Sequence, residues 1–148
     1  MSVEILTANL LDLSPLRKLE QVCFPADAWP LLDLIAVLAS PGAVRLKAVE
    51  NGQMVGFIAG DRADGVGWVA TVGVLPEFRR RGIGQALMAA CEKQLNLARV
   101  RLCVREGNSD AIRLYETLSY RVVDTWHQYY KDGSNALVME KDRSQSKI

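Results

Sequence analysis

Pro76-Glu77-Phe78-Arg79-Arg80-Arg81-Gly82-Ile83-Gly84-Gln85 joins two stretches of different periodicity. Upstream, Val66 to Val74 reads as a strand that Pro76 ends. Downstream, Ile83, Ala86, Leu87, Ala90, Cys91 and Leu95 share one face of a helix of about four turns. The first N–H groups of such a helix lack partners within it, and its dipole adds positive partial charge there. Gly82 and Gly84 let the backbone approach an anion, and three arginines add bidentate donors for phosphate oxygens. The turn therefore predicts a pyrophosphate site, with a basic helix cap that binds nothing as the plainer alternative. It is neither a Walker loop nor a dinucleotide fingerprint, because the residues that define those motifs are missing.

Outward from this turn, Val3 to Leu6 reads as a short strand. Ser14-Pro15 predicts the start of a helix with the apolar stripe Leu16, Leu19, Val22 and Cys23. A second helix carries Leu31, Leu34, Ile35 and Leu38 and ends at Ser40-Pro41-Gly42. Val44 to Ala48 and Met54 to Ala59 form a hairpin about Asn51-Gly52, and Asp64-Gly65 turns the chain into Val66 to Val74. Beyond the long helix, Val100, Leu102 and Val104 alternate as a strand. Asn108 or Ser109 then caps a helix bearing Ala111, Ile112, Leu114, Tyr115 and Leu118. Closing strands are expected near Arg121 to Tyr130 and Ala136 to Glu140, joined at Asp132-Gly133. The order β-α-α-β-β-β-α-β-α-β-β is α/β but not doubly wound, since three strands follow one another without helices between them.

The whole chain has 148 residues and a net charge of +1, which fits one domain. Residues 1–141 are read as that domain and 142–148 as a flexible tail. Near-neutral charge points to neither nucleic acid nor a membrane surface as partner. Neither a signal peptide nor a run long and apolar enough for a membrane helix is visible. Cys23, Cys91 and Cys103 show no metal-ligand or redox-pair spacing, so reduced thiols, a cytoplasmic location and no metal are expected. The lone His127 is expected at a surface or edge position on a closing strand.

Three separated blocks carry a family resemblance. Val72-Gly73-Val74-Leu75-Pro76, then Arg79-x-x-Gly82-x-Gly84, then Asn108-x-x-Ala111-x-x-Leu114-Tyr115 resembles the GCN5-related N-acetyltransferase (GNAT) superfamily. Looser likenesses in Cys23-Phe24-Pro25 with Trp29, in Leu102 to Arg105, and in Tyr129-Tyr130-x-Asp132-Gly133 resemble the RimI type. That type acetylates the N-terminal alanine of a small-subunit ribosomal protein. The resemblance implies a single-domain GNAT fold, with a mixed, mostly antiparallel sheet of about seven strands flanked by about four helices.

It also implies acetyl-CoA as cosubstrate, lying between two strands that splay apart, here Val66 to Leu75 and Val100 to Arg105. Val72, Gly73 and Val74 would meet the pantetheine, Arg79, Arg80, Arg81, Gly82, Ile83, Gly84 and Gln85 the pyrophosphate, and Asn108 the cofactor arm. One N–H would polarise the thioester carbonyl. Tyr115 matches the family's general acid, protonating the thiolate as it leaves. Read on its residues alone, Tyr115 is equally a half-buried aromatic of an amphipathic helix, and Asn108 a plain cap.

The RimI type has a glutamate base where this chain has Cys103, a residue better suited to filling apolar space than to accepting a proton. Glu106 is the nearby carboxylate, although three residues on it lies beyond the strand face of Cys103. At pH 7.4 an α-amine needs only about 0.5 kcal/mol to become neutral, whereas a lysine needs about 4 kcal/mol. A site without a strong base, using water as relay, therefore favours a protein or peptide N-terminus, attacked directly in a ternary complex. Two alternatives remain. One is acetylation of a small amine, with Asp27, Asp61 and Asp64 as its acidic residues; the other is a catalytically silent acyl-CoA-binding module. Monomer and homodimer are equally consistent with the chain. Ser119, where the family usually ends this helix with glycine, and Pro30, where the RimI type has a capping serine or threonine, are further departures.

Overall fold

The structure, a computed structural model, describes residues 2–144. Its elements run β1 (Glu4–Thr7), α1 (Leu13–Cys23), α2 (Leu31–Ala39), β2 (Val44–Glu50), β3 (Gln53–Ala63) and β4 (Val66–Val74). Then come α3 (Ile83–Leu95), β5 (Arg99–Arg105), α4 (Ser109–Thr117), β6 (Arg121–Trp126) and β7 (Ala136–Asp142). One seven-stranded sheet has the order β1-β2-β3-β4-β5-β7-β6, antiparallel throughout except for the parallel pair β4–β5. The expected seven strands, four helices and mixed sheet are all present. None of the described helices is long and apolar enough to cross a membrane.

The hairpin turns form as read. Asn51, Gly52, Asp64 and Gly65 all have positive φ, the conformation that two-residue hairpin turns require. The sheet separates two cores. On one face α3 packs over β2, β3 and β4, burying Ile83, Leu87, Cys91 and Leu95, with Tyr115 of α4 against the same cluster. On the other, Leu16, Leu19, Leu34 and Leu38 of α1 and α2 pack over Phe57 and Ala59.

Several expectations need correction. The first helix starts earlier than Ser14-Pro15, because Asn9 and Asp12 form a capping box on a 3-10 turn (Leu10–Asp12) that runs straight into α1. Its buried stripe contains Glu20, whereas Val22 points to solvent. Leu31 is likewise exposed at the head of α2. The strand expected to reach Tyr130 stops at Trp126, where Gln128 takes φ +53° and donates its N–H to Asn135 Oδ1 at 3.0 Å. His127 consequently sits, exposed, in the turn beyond β6. At the other end β7 runs through Asp142, and the Arg143 N–H bonds the Ala98 carbonyl at 2.6 Å. Residues 145–148 of the expected tail lie outside the described residues.

One irregularity positions the site. Ala59 pairs with Thr71 but Gly60 pairs with Val69, so Ala70 is an extra residue on β4, a β-bulge. Before it, Gly67 and Val69 face α3; after it, Val72 and Val74 do, while Thr71 and Gly73 turn toward α1. Gly60 has no room for a side chain here, since a Cβ would lie 2.9 Å from Cys91 Sγ and 3.0 Å from the Trp68 carbonyl.

Candidate active site

The parallel ladder between β4 and β5 holds only three pairs, Gly67–Val100, Trp68–Arg101 and Val69–Leu102. Both strands continue past it, β4 to Val74 and β5 to Arg105, and the ladder ends where Ala70 bulges. The result is a wedge-shaped gap in the sheet. Leu75 donates its N–H to the Val55 carbonyl at 2.9 Å, on the β3 side. Strand residues alternate the edge they address, so Val72 and Val74 turn their N–H and C=O groups into the gap. The Val74 carbonyl is already engaged there, by Arg79 Nε at 2.9 Å and by the Cys23 thiol at 3.5 Å. Gly73 packs closely under α1, where a Cβ would meet Cys23 Sγ at 3.2 Å and Leu19 and Phe24 at 3.3 Å.

At the mouth of the gap lies the arginine–glycine turn. Arg80 has φ +64° and Gly82 φ +80°, two left-handed residues that turn successive N–H groups outward, an arrangement suited to an anion. The first helical bond runs from the Ala86 N–H to the Gly82 carbonyl at 3.0 Å, which leaves the N–H groups of Ile83, Gly84 and Gln85 at the open end. The three arginines are not equivalent. Arg81 donates both terminal nitrogens to Glu50, at 2.7 and 3.1 Å, and Glu50 is only 5% exposed. That hydrogen bond lowers the Glu50 pKa. Arg79 is committed to Val74, and Arg80 projects into solvent. The turn, the gap and the addressed edge of β4 together fit a pantetheine arm ending in a pyrophosphate.

Tyr115 lies on the α3 and α4 side, half-buried and edge-on to Tyr120 at 6.2 Å. Burial pushes its pKa up to about 12. Asn108 caps α4, its Oδ1 accepting the Ala111 N–H at 3.2 Å, and its amide nitrogen is left to face outward. Cys103 projects from the opposite face of β5, since it pairs with Val138 while Leu102 and Val104 enter the α3 core. Burial raises its thiol pKa as well. Glu106 is not on that face. The strand ends at Arg105, and Glu106 sits exposed in the following turn, accepting from Asn135 Nδ2 at 3.2 Å.

Sequence reading missed two features of the acceptor face. Glu20, 1% exposed, accepts the Trp29 N–H at 3.1 Å and the Thr71 hydroxyl at 2.9 Å, tying α1 to the head of α2 and to β4 just past the bulge. Burial raises its pKa, with those two bonds acting the other way. The available signal was a carboxylate four residues after Leu16, inside the apolar stripe. The second feature is Arg105. It grips Asp27 through Nε at 2.7 Å and a terminal nitrogen at 2.8 Å, grips Asp132 at 2.9 and 3.1 Å, and covers the Tyr130 ring at 4.3 Å. Of the three aspartates considered for a cationic substrate, Asp61 lines a cavity of about 310 Å³ with Asp33, Trp29 and Ala70, and Asp27 is bound to Arg105. Asp64 is in the β3–β4 turn.

A sheet opened between its parallel strands beside a glycine-rich helix start is the arrangement expected of an acetyl-CoA-dependent acyltransferase. The sequence model for the acetyltransferase (GNAT) family matches residues 13–120, and the chain belongs to that family of N-acetyltransferases. It is 31% identical to an N-alpha-acetyltransferase of Sulfurisphaera tokodaii over 91% of this chain and 90% of that one. Its fold matches the crystal structure of the ribosomal-protein-S18-alanine N-acetyltransferase from Escherichia coli with a TM-score of 0.85, at 24% identity over 95% and 94% of the two chains. It also matches Arabidopsis thaliana Naa50 in complex with a bisubstrate analogue, CoA-Ac-MVNAL, with a TM-score of 0.79 at 26% identity over 96% and 99%.

Proposed function

We propose that this chain transfers the acetyl group of acetyl-CoA to the N-terminal α-amine of a protein or peptide, by direct attack in a ternary complex. The observation that carries the proposal is the gap itself. In support, Tyr115 lies on one side of the sheet with its phenol protonated, and Cys103 on the other as an uncharged thiol with no carboxylate beside it on the strand. The names of the relatives, including the Sulfurisphaera N-alpha-acetyltransferase, and the bisubstrate complex of Naa50 support an α-amine acceptor.

In this reading the free backbone edge at Val72 pairs with the pantetheine, and Val74 contributes its N–H. The pyrophosphate rests on the N–H groups of Gly82 to Gln85, with Arg80 as the arginine free to reach it. Arg79 and Arg81 act by shaping the turn, Gly73 by letting α1 close on β4, and Asn108 by placing α4 and touching the cofactor arm. Tyr115 protonates the departing thiolate. Its raised pKa keeps the proton in place at neutral pH, and the same burial raises the affinity of the thiolate for it. Amine deprotonation passes to water; Glu106, bound to Asn135, is the weaker assignment for this step. All three cysteines are unpaired, which suits a reducing cytoplasm.

A second reading, acetylation of a small cationic amine, draws on the cavity beside Asp33 and Asp61. Acetyl-CoA turnover against N-terminal peptides, lysine peptides and polyamines separates the readings. Turnover is expected to be fastest with α-amine peptides at neutral pH. A preference for lysine peptides refutes the argument from Cys103, a preference for polyamines favours the second reading, and binding without turnover identifies a silent module.

A further inference from the structure

The acceptor face of the gap is bordered by two loops, residues 24–30 between α1 and α2 and residues 127–135 between β6 and β7. Each is anchored locally. Trp29 is held by Glu20, and the second loop closes through the Tyr130 N–H to the Ser134 carbonyl at 3.1 Å and the Ser134 N–H to Asp132 Oδ1 at 3.0 Å. Among the described residues, Arg105 is the one side chain hydrogen-bonded to both loops, through Asp27 and Asp132. It leaves β5 on the same face as Cys103, two residues and so about 7 Å further along, beyond the last β4–β5 pair. Resting on Tyr130, the guanidinium joins the two loops on the Cys103 face of the sheet.

We propose that Arg105 is a positioning residue for the acceptor, setting the spacing of the two loops at the width an incoming polypeptide N-terminus needs. The proposal deepens the α-amine reading and rests on it. A planar guanidinium can hold one carboxylate bidentately through Nε and a terminal nitrogen while its other terminal nitrogen reaches a second, a fork an ammonium lacks, so the site demands arginine and not merely positive charge. The side chain touches neither cofactor nor reacting atoms; it acts through the loops it holds.

Three variants test this: Arg105→Ala, Arg105→Lys and Asp132→Asn. For the amine that the wild type acetylates best, Arg105→Ala is expected to raise acceptor KM roughly ten-fold or more, with acetyl-CoA KM unchanged to within about two-fold. Arg105→Lys should recover only part of the loss. Asp132→Asn, at an exposed position, removes one grip without threatening the fold, and should give a smaller rise of the same kind if the alanine variant fails to fold. Hydrogen exchange should quicken in both loops together while β5 keeps its protection. That measurement needs no acceptor, so it stands even if the α-amine assignment fails. Unchanged or lowered acceptor KM, acetyl-CoA KM rising in step, or faster exchange in only one loop each overturns the proposal.

Discussion

The two faces of the gap are built by opposite means. On the cofactor face the parts lie close together in the chain: Val72 and Val74, the turn from Arg79 to Gln85, and Asn108 with Tyr115 on one short helix. What they offer is mostly backbone: the open edge of β4 and the unpaired N–H groups of a helix start. On the proposed acceptor face Glu20, Asp27, Cys103, Arg105, Tyr130 and Asp132 come from four segments, and the ties there are made by side chains, Glu20 holding Trp29 and Arg105 reaching across 78 residues to Asp27. A backbone site tolerates change in most of its side chains. A side-chain site depends on each of its members, so the acceptor face is the place for specificity to vary.

The sharpest test of that division is Tyr115→Phe. It should lower kcat about a hundred-fold or more while leaving acetyl-CoA affinity nearly intact, because one proton donor is lost and no backbone contact is. Steady-state and single-turnover kinetics would separate the two, and a fall in affinity of the same size would join acid catalysis to binding. The pH profile sharpens the same point. With the phenol at about 12, kcat should rise as the α-amine loses its proton, near pH 8, and show no falling limb below about pH 11.

Glu20→Ala comes next, on the acceptor face. It strands the Trp29 N–H and the Thr71 hydroxyl, and should cost about 3 kcal/mol of stability in denaturant titration. A loss under about 1 kcal/mol would mean that water replaces the carboxylate. On the cofactor face the arginines should divide: Arg80→Ala raises acetyl-CoA KM about three-fold to ten-fold at constant Tm. Arg81→Ala lowers Tm by leaving Glu50 without its counter-ion, an effect that fades as acid protonates Glu50, whose folded-state pKa is depressed. If Arg81→Ala changes only KM, the turn uses that arginine for phosphate after all. The smallest effect belongs to Ser119→Gly. Ser119 sits at φ +75°, and glycine there should add about 0.5–1 kcal/mol of stability in the same titration.

How far the sequence could be read follows the same line. Periodicity gave the strands and helices, and the turn dipeptides at Asn51-Gly52 and Asp64-Gly65 gave the hairpins, since each depends on neighbours a few residues apart. Three motif blocks pointed to the family and its cosubstrate for the same reason. Boundaries failed where a cap or a left-handed residue decided them, as at Asn9 and Gln128. The engagement of Arg81 by Glu50 and of Arg105 by two aspartates could not be read, because unlike-charge pairing over 27 to 78 residues leaves no periodic trace. The separation of Glu106 from Cys103 was foreseeable from alternation alone, and the structure places the two on different elements.

The extra residue at Ala70 has a consequence for how such a chain can change. A strand keeps its two faces by parity, and one inserted residue exchanges odd and even for everything after it. Substitutions do not remove the extra residue; only a deletion does, and losing Ala70 would leave Val69 and Thr71 as regular neighbours on opposite faces, with Thr71 and Gly73 still toward α1 and Val72 and Val74 still toward α3. The opening in the sheet is therefore insulated from gradual drift. Point changes can retune what enters it, while the bulge that ends the β4–β5 ladder can be lost only by a change in the length of the strand.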